Sequence, residues 1–195
     1  MKTNKILCLV IAALLMCALA ACDKSGEPGG DGNGGTTNLS GSPAEILEAL
    51  LEDTKTVIED AGGFMYMSIL SDVTADVSQD TAGLSRTDFG KYAVAASSSM
   101  AAISSQAHQI ILIQAKDAAS AAQVKKLVAG RVAGSEGYDP LKWVCVWPEQ
   151  CVTVDSGEYV LIIASRKDIV EAALAVFGEM AGSVGDADFF YEHME

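Results

Sequence analysis

The stretch from Cys151 to Ser165, CVTVDSGEYVLIIAS, decides the fold. Two apolar, β-branched runs flank Asp155, Ser156 and Gly157, and glycine supplies the positive φ that a three-residue hairpin loop requires. Two strands joined so tightly must pair antiparallel. Upstream, HQIILIQA at 108–115 is short, rich in β-branched residues and followed by an N-cap candidate, Asp117, which predicts a buried strand leading into a helix. Val124, Leu127, Val128 and Val132 give that helix an apolar face, Gly134 ends it, and Lys125, Lys126 and Arg131 in its second half complement the helix dipole. Downstream, Ser165 and Asp168 are the capping pair of a last helix, whose Ile169, Ala172, Ala173, Val176, Phe177 and Met180 recur at helical spacing until Gly182. The acidic, aromatic tail DADFFYEHME then packs on the domain or frays.

Toward the N-terminus, Ser42, Pro43 and Glu45 read as N-cap, first helical residue and capping-box glutamate. Ile46, Leu47, Leu50, Leu51, Val57, Ile58 and Ala61 continue as one apolar stripe up to Gly62 and Gly63. FMYMSIL, at 64–70, is strand or helix, which periodicity alone leaves open. Ser85 and Asp88 cap a short helix ending near Tyr92, with Leu84 and Phe89 as its hydrophobic staple, and YAVAASSSMA is a small-residue strand or loop. Together these elements predict an α+β domain over residues 44–195, a small, mostly antiparallel sheet with helices packed on one face.

The chain starts differently. Lys2 and Lys5 precede an apolar run from Ile6 to Leu19, which has the charge order and length of a secretory signal and falls short of the roughly 20 residues a spanning helix needs. Leu19, Ala20, Ala21 and Cys22 look like a bacterial lipobox, in which the cysteine sulfur is acylated and cleavage leaves Cys22 first. An ordinary cleaved signal with a chance cysteine is the alternative. Residues 1–21 are then the lipoprotein signal peptide and 22–43 a lipidated cysteine with a Gly- and Ser-rich tether, whose one aliphatic side chain larger than alanine is Leu39. As a flexible coil this tether has a root-mean-square span of roughly 25 Å and a stretched limit of about 70 Å. Two acyl chains hold a protein to a membrane where one holds it only marginally.

Residues 1–21 contain two of the 13 Lys and Arg and none of the 26 Asp and Glu, so their removal takes the net charge from −13 to −15. Such a charge repels nucleic acid and anionic headgroups, which makes the lipid itself the expected link to the membrane and makes nucleic acid an unexpected partner. Cys8 and Cys17 leave with the signal, and Cys145 and Cys151 remain outside the cytoplasm as either a short-loop disulfide or two packed thiols.

Catalytic and metal-binding patterns are sparse. The chain has no G-x-S-x-G elbow and no S-x-x-K, and the serines at 97–99 and 104–105 lack a nearby basic partner. His108 and His193 read as hydrogen-bonded structural groups before they read as bases or ligands. DGNGG at 31–35 imitates the start of a calcium loop, but Ser42 stands where the bidentate acid belongs. Asp72, Asp76 and Asp80 recur every four residues, which on a helix would align them toward a divalent ion; a solvated face or turn accounts for them as well. No cofactor is expected. Tyr138, Trp143, Trp147 and Pro148, between helix and hairpin, either line a binding surface or cover the open side of the core.

IILIQAKDAASAAQVKKLVAGRVAG, then WPEQ, then VDSGEYVLIIAS and a helix ending in VF resemble a bacterial lipoprotein family known as domain of unknown function 4358, over Leu84 to Phe177. The resemblance rests on Lys116, Arg131, Pro148, Glu149, Gly157, Tyr159 and Val160. It implies a lipobox signal, in keeping with Cys22, and a cell-surface location, and brings no activity with it; Cys145 and Cys151 are not in its pattern. The expectation is a non-catalytic, lipid-anchored envelope protein facing outside the cytoplasm, with a protein or envelope-component partner. A wall-acting hydrolase or transferase, its residues converging from distant positions, is the alternative.

Overall fold

Strands whose apolar residues do not alternate with polar ones must be covered on both faces. IILI of the third strand and VLIIA of the fifth have no such alternation, and the architecture follows from them. In the computed structural model, which describes residues 36–60, 62, 68–102, 107–133 and 149–192, the elements run α1 (Pro43–Asp53), α2 (Lys55–Asp60), β1 (Ser68–Asp72), α3 (Ser78–Ala82), α4 (Arg86–Tyr92), β2 (Ala93–Ala101), β3 (Gln109–Ala115), α5 (Ala118–Ala133), β4 (Gln150–Ser156), β5 (Tyr159–Ser165), α6 (Lys167–Ala181) and β6 (Asp188–Glu192). The six strands form one sheet in the order β1-β2-β3-β5-β4-β6, every neighbouring pair antiparallel. The fold is α+β.

The helices lie on both faces of the sheet, where the sequence reading put them on one. Ile110, Leu112, Val152, Val154, Leu161 and Ile163 point to the face covered by α1 and α6, through Ile46, Leu47, Leu50, Val170, Ala173 and Phe177. Ile111, Ile113, Val160, Ile162 and Ala164 point the other way, under Leu84 and Phe89 at α4 and Ala121, Val124 and Val128 of α5. Each fully buried aliphatic side chain contributes roughly 1.5–3 kcal/mol, so leaving either face of β3 and β5 open would forfeit several such terms.

Local signals account for most boundaries. Ser42 and Glu45 form the reciprocal capping box, with Ser42 Oγ accepting from the Glu45 N–H and Glu45 Oε2 accepting from the Ser42 N–H at 2.9 Å. Ser85 caps α4, and Leu84 and Phe89 are both buried as the staple requires. The Asp117 carboxylate accepts from the Ser120 N–H at 2.7 Å at the start of α5. The stripe expected as one helix to Ala61 is broken at Thr54, whose hydroxyl donates back to the Leu50 and Leu51 carbonyls and ends α1. β1 resolves part of FMYMSIL as a strand, and the C-terminal tail supplies β6.

The hairpin pairs Ser156 with Tyr159, leaving Gly157 and Glu158 as the turn. Asp155 and Ser156, expected in the loop, are ladder residues. Gly157 has φ +56°, as the loop chemistry demands, and a Cβ there would also come within 2.6 Å of Thr37 Cγ2. Ser165 does not cap α6: the N-cap is Arg166, and the hydroxyl of Ser165 is engaged elsewhere.

Candidate functional site

Antiparallel register lines up three polar side chains across three adjacent strands at the end of the sheet opposite the β4–β5 turn. His108 precedes β3, Ser165 closes β5 and Gln150 opens β4. Gln109 pairs with Ala164, which places His108 across from Ser165, and Ser165 pairs with Gln150. Alternation turns all three to the α1/α6 face. His108 Nδ1 and Ser165 Oγ are 2.9 Å apart, the tautomer setting which of them donates. Gln150 is buried and its Oε1 has no hydrogen-bond partner among the described residues. On the opposite face of the same end, Gln109 donates from Nε2 to the Thr81 carbonyl at 3.4 Å, while its buried Oε1 likewise has no partner among the described residues.

The start of α6 completes this end. Glu149 Oε2 accepts from the Lys167 N–H at 2.9 Å, setting a carboxylate on the positive end of the helix dipole. Arg166 and Asp168, both partly exposed, pair at 2.7 Å beside it.

A hydroxyl hydrogen-bonded to an imidazole is the first half of a nucleophile–base arrangement. Burial pushes the His108 pKa down to about 4, so the ring is neutral at neutral pH and able to accept a proton. Both side chains are fully enclosed, however, and no substrate atom reaches Ser165 Oγ in this conformation. Here the pair acts as a clasp between β3 and β5.

The opposite end of the sheet is closed by the chain itself. Lys125, expected to serve the helix dipole, instead reaches Asp155 Oδ1 at 2.9 Å and Asp188 Oδ2 at 3.5 Å, and donates to the Asp186 carbonyl. The Lys125 and Asp155 side chains are only 14% and 13% exposed, so this is an ion pair largely withdrawn from water. Ser156 Oγ donates to the Ser183 carbonyl and the Gly185 N–H donates to the Asp155 carbonyl, which holds the segment leading into β6 against the hairpin.

Cys151 is a buried free thiol whose pKa burial pushes up to about 12, a packing group and not a nucleophile. Cys145, the other half of the bridge weighed above, lies outside the described residues, as do Cys22, His193, residues 31–35, Ser104, Ser105, Tyr138, Trp143, Trp147 and Pro148. Ser97, Ser98 and Ser99 are buried in β2, with Ser97 donating to Asp72. Asp72, Asp76 and Asp80 do not share a helix: they fall in β1, in a turn and in α3, and Asp76 pairs with Arg86. Among the described residues no group of three or more His, Cys, Asp or Glu could hold a metal ion, and no helix is long and apolar enough to cross a membrane.

Sequence reasoning missed the His108–Ser165 pair, whose members are 57 residues apart, and the Lys125 hub. A cap candidate at the end of a strand and a lysine next to Val124 on the apolar face of a helix were the signals present, and neither names a partner. No family model, no curated protein and no solved structure matches the chain.

Proposed function

We propose that the chain is a lipid-anchored, extracytoplasmic protein of a bacterial cell envelope, and that its α+β domain is a non-catalytic binding or assembly module. The observation that carries this reading is the order of segments: a short apolar run behind two lysines, the LAAC tetrapeptide ending in Cys22, and a glycine-rich stretch before the folded residues. Incorporation of labelled palmitate and membrane fractionation test it: the native chain takes up label and sediments with membranes, and Cys22→Ser does neither. A Cys22→Ser chain that still carries the acyl label overturns the anchoring.

A binding role fits an end of the sheet where, among the described residues, Gln109 Oε1 and Gln150 Oε1 have no hydrogen-bond partner. The mature chain, screened by thermal shift against wall fragments, sugars, peptides and divalent metals, should be stabilised by about 2.7 kcal/mol by a small ligand at 100 times its Kd. A flat screen points to a protein partner.

The second reading is a hydrolase or transferase, favoured by the contact between His108 and Ser165. A fluorophosphonate probe decides it, since an active pair is labelled in the native chain and not in Ser165→Ala. The enclosure of both side chains predicts no labelling of either.

A further inference from the structure

Residues 36–42 have the composition of a tether and the contacts of a structural element. Leu39, the one sizeable aliphatic residue between Asp23 and Pro43, is buried in the core beneath α1 and α6. The Asn38 N–H donates to the Ala181 carbonyl at 2.9 Å, at the last residue of α6, and the Asn38 side chain fills the space where a Cβ on Gly182 would stand. Thr37 packs in the same way over Gly157, the first turn residue of the β4–β5 hairpin. Tyr159, fully buried, donates its hydroxyl to the Gly41 carbonyl at 2.9 Å. The capping box at Ser42 then turns the chain into α1. Two glycines with positive φ, at 157 and 182, thus leave the room in which Thr37 and Asn38 sit, and a buried tyrosine spends its hydroxyl on the same strand of chain.

We infer that Thr36–Ser42 is a strap belonging to the fold, and that by pinning the tether to the β4–β5 turn it orients the domain at the membrane, hairpin end toward the lipid and the His108, Ser165 and Gln150 row outward. This rests on the lipid anchor proposed above. With the strap docked, the chain between it and Cys22 shrinks to residues 23–35, whose length caps its reach at about 45 Å. Strands of seven residues separate the two ends of the sheet by about 20 Å. Exposed acids at the hairpin end, Asp186 and Asp188, resist adhesion to anionic headgroups, so the strap and the tether determine the approach and not surface attraction.

The test uses the full lipidated chain in phosphatidylcholine vesicles containing an acceptor-labelled lipid, with a fluorescent amino acid placed either at Glu158 in the turn or at Glu149 at the opposite end. A separation of about 20 Å along the strands should make energy transfer from position 158 clearly greater than that from 149. Replacing residues 36–41 by a Gly-Ser stretch of the same length should shrink this difference, with far-UV circular dichroism reporting that the fold survives. Equal transfer from both positions in the chain with its native strap overturns the inference, and that comparison needs no strap variant. No transfer from either position, in a chain that does not float with the vesicles, overturns the anchoring instead.

Discussion

The two ends of the sheet are built from the same strands and finished in opposite ways. At the hairpin end the chain satisfies itself: Lys125 gathers Asp155, Asp188 and the Asp186 carbonyl, Ser156 holds Ser183, and Tyr159 holds Gly41. Segments from both sides of the domain's sequence, 36–42 and 182–187, converge there. At the other end His108 and Ser165 hold each other, while Gln109 and Gln150 keep buried carbonyl oxygens without partners among the described residues. A buried polar atom left without a hydrogen bond costs about 1–3 kcal/mol, so among the described residues the far end is the less well satisfied of the two. The hairpin end is fastened by contacts distant in sequence, whereas among the described residues the far end is held by the His108–Ser165 contact and leaves two buried amide oxygens without partners.

The largest effect that would break this comparison is at Lys125. Removing its ammonium leaves Asp155 withdrawn from water without its counter-charge, and Lys125→Ala is expected to cost roughly 3–4 kcal/mol in urea unfolding. A loss under 0.5 kcal/mol would mean that water reaches the hub and that the hairpin end is no better fastened than its opposite.

At the far end the corresponding probe is pH. His108 is held neutral by burial, with a pKa of about 4 against an ordinary 6.5. Below pH 6.5 the unfolded chain takes up a proton that the folded chain refuses, so stability is complete above 6.5, falls as pH drops, and levels off below about 4. The total is about 3 kcal/mol, and His108→Gln should flatten that segment of the stability–pH curve. An unchanged slope in the variant would assign the acid lability to other groups.

Ser165→Ala separates the clasp from its titration. It leaves His108 Nδ1 without the hydroxyl and should cost about 1 kcal/mol at pH 7, read by thermal unfolding. The smallest effect, and the sharpest test of the contrast, is Gln150→Leu: since Oε1 has no partner among the described residues, an apolar replacement of similar size should be neutral or stabilising by up to about 1 kcal/mol. A clear loss of stability there would show that Gln150 is as well satisfied as the groups of the hairpin end.

Legibility followed the range of the interaction. Ser42 with Glu45, Ser85 with Asp88 and Asp117 with Ser120 are three residues apart, and each could be read as a helix start because cap chemistry is local. The periodicity of α6 and the apolar run of β3 were equally visible. Thr54 was not, because a hydroxyl that bonds back to Leu50 either continues a helix or ends it, and the choice depends on what the next turn packs against. Five-residue α3 is too short for a period to show. The two-sided covering of the sheet is implicit in the unbroken apolar runs of β3 and β5, but such a run does not say which helices cover which face.

By itself the sequence determined the elements with local causes: caps, breaks, apolar stripes, the hairpin with its glycine, and the tether-like composition after Cys22. Only the tertiary structure decided that Leu39 and its neighbours leave the tether for the core, that Lys125 serves Asp155 and not the helix dipole, and that Ser165 faces His108 and not the α6 backbone. The physical reason is the same in each case. These side chains have local partners available and take distant ones, because strand register and helix placement bring together groups 30 to 118 residues apart, and burial makes those contacts worth more than the exposed local alternatives.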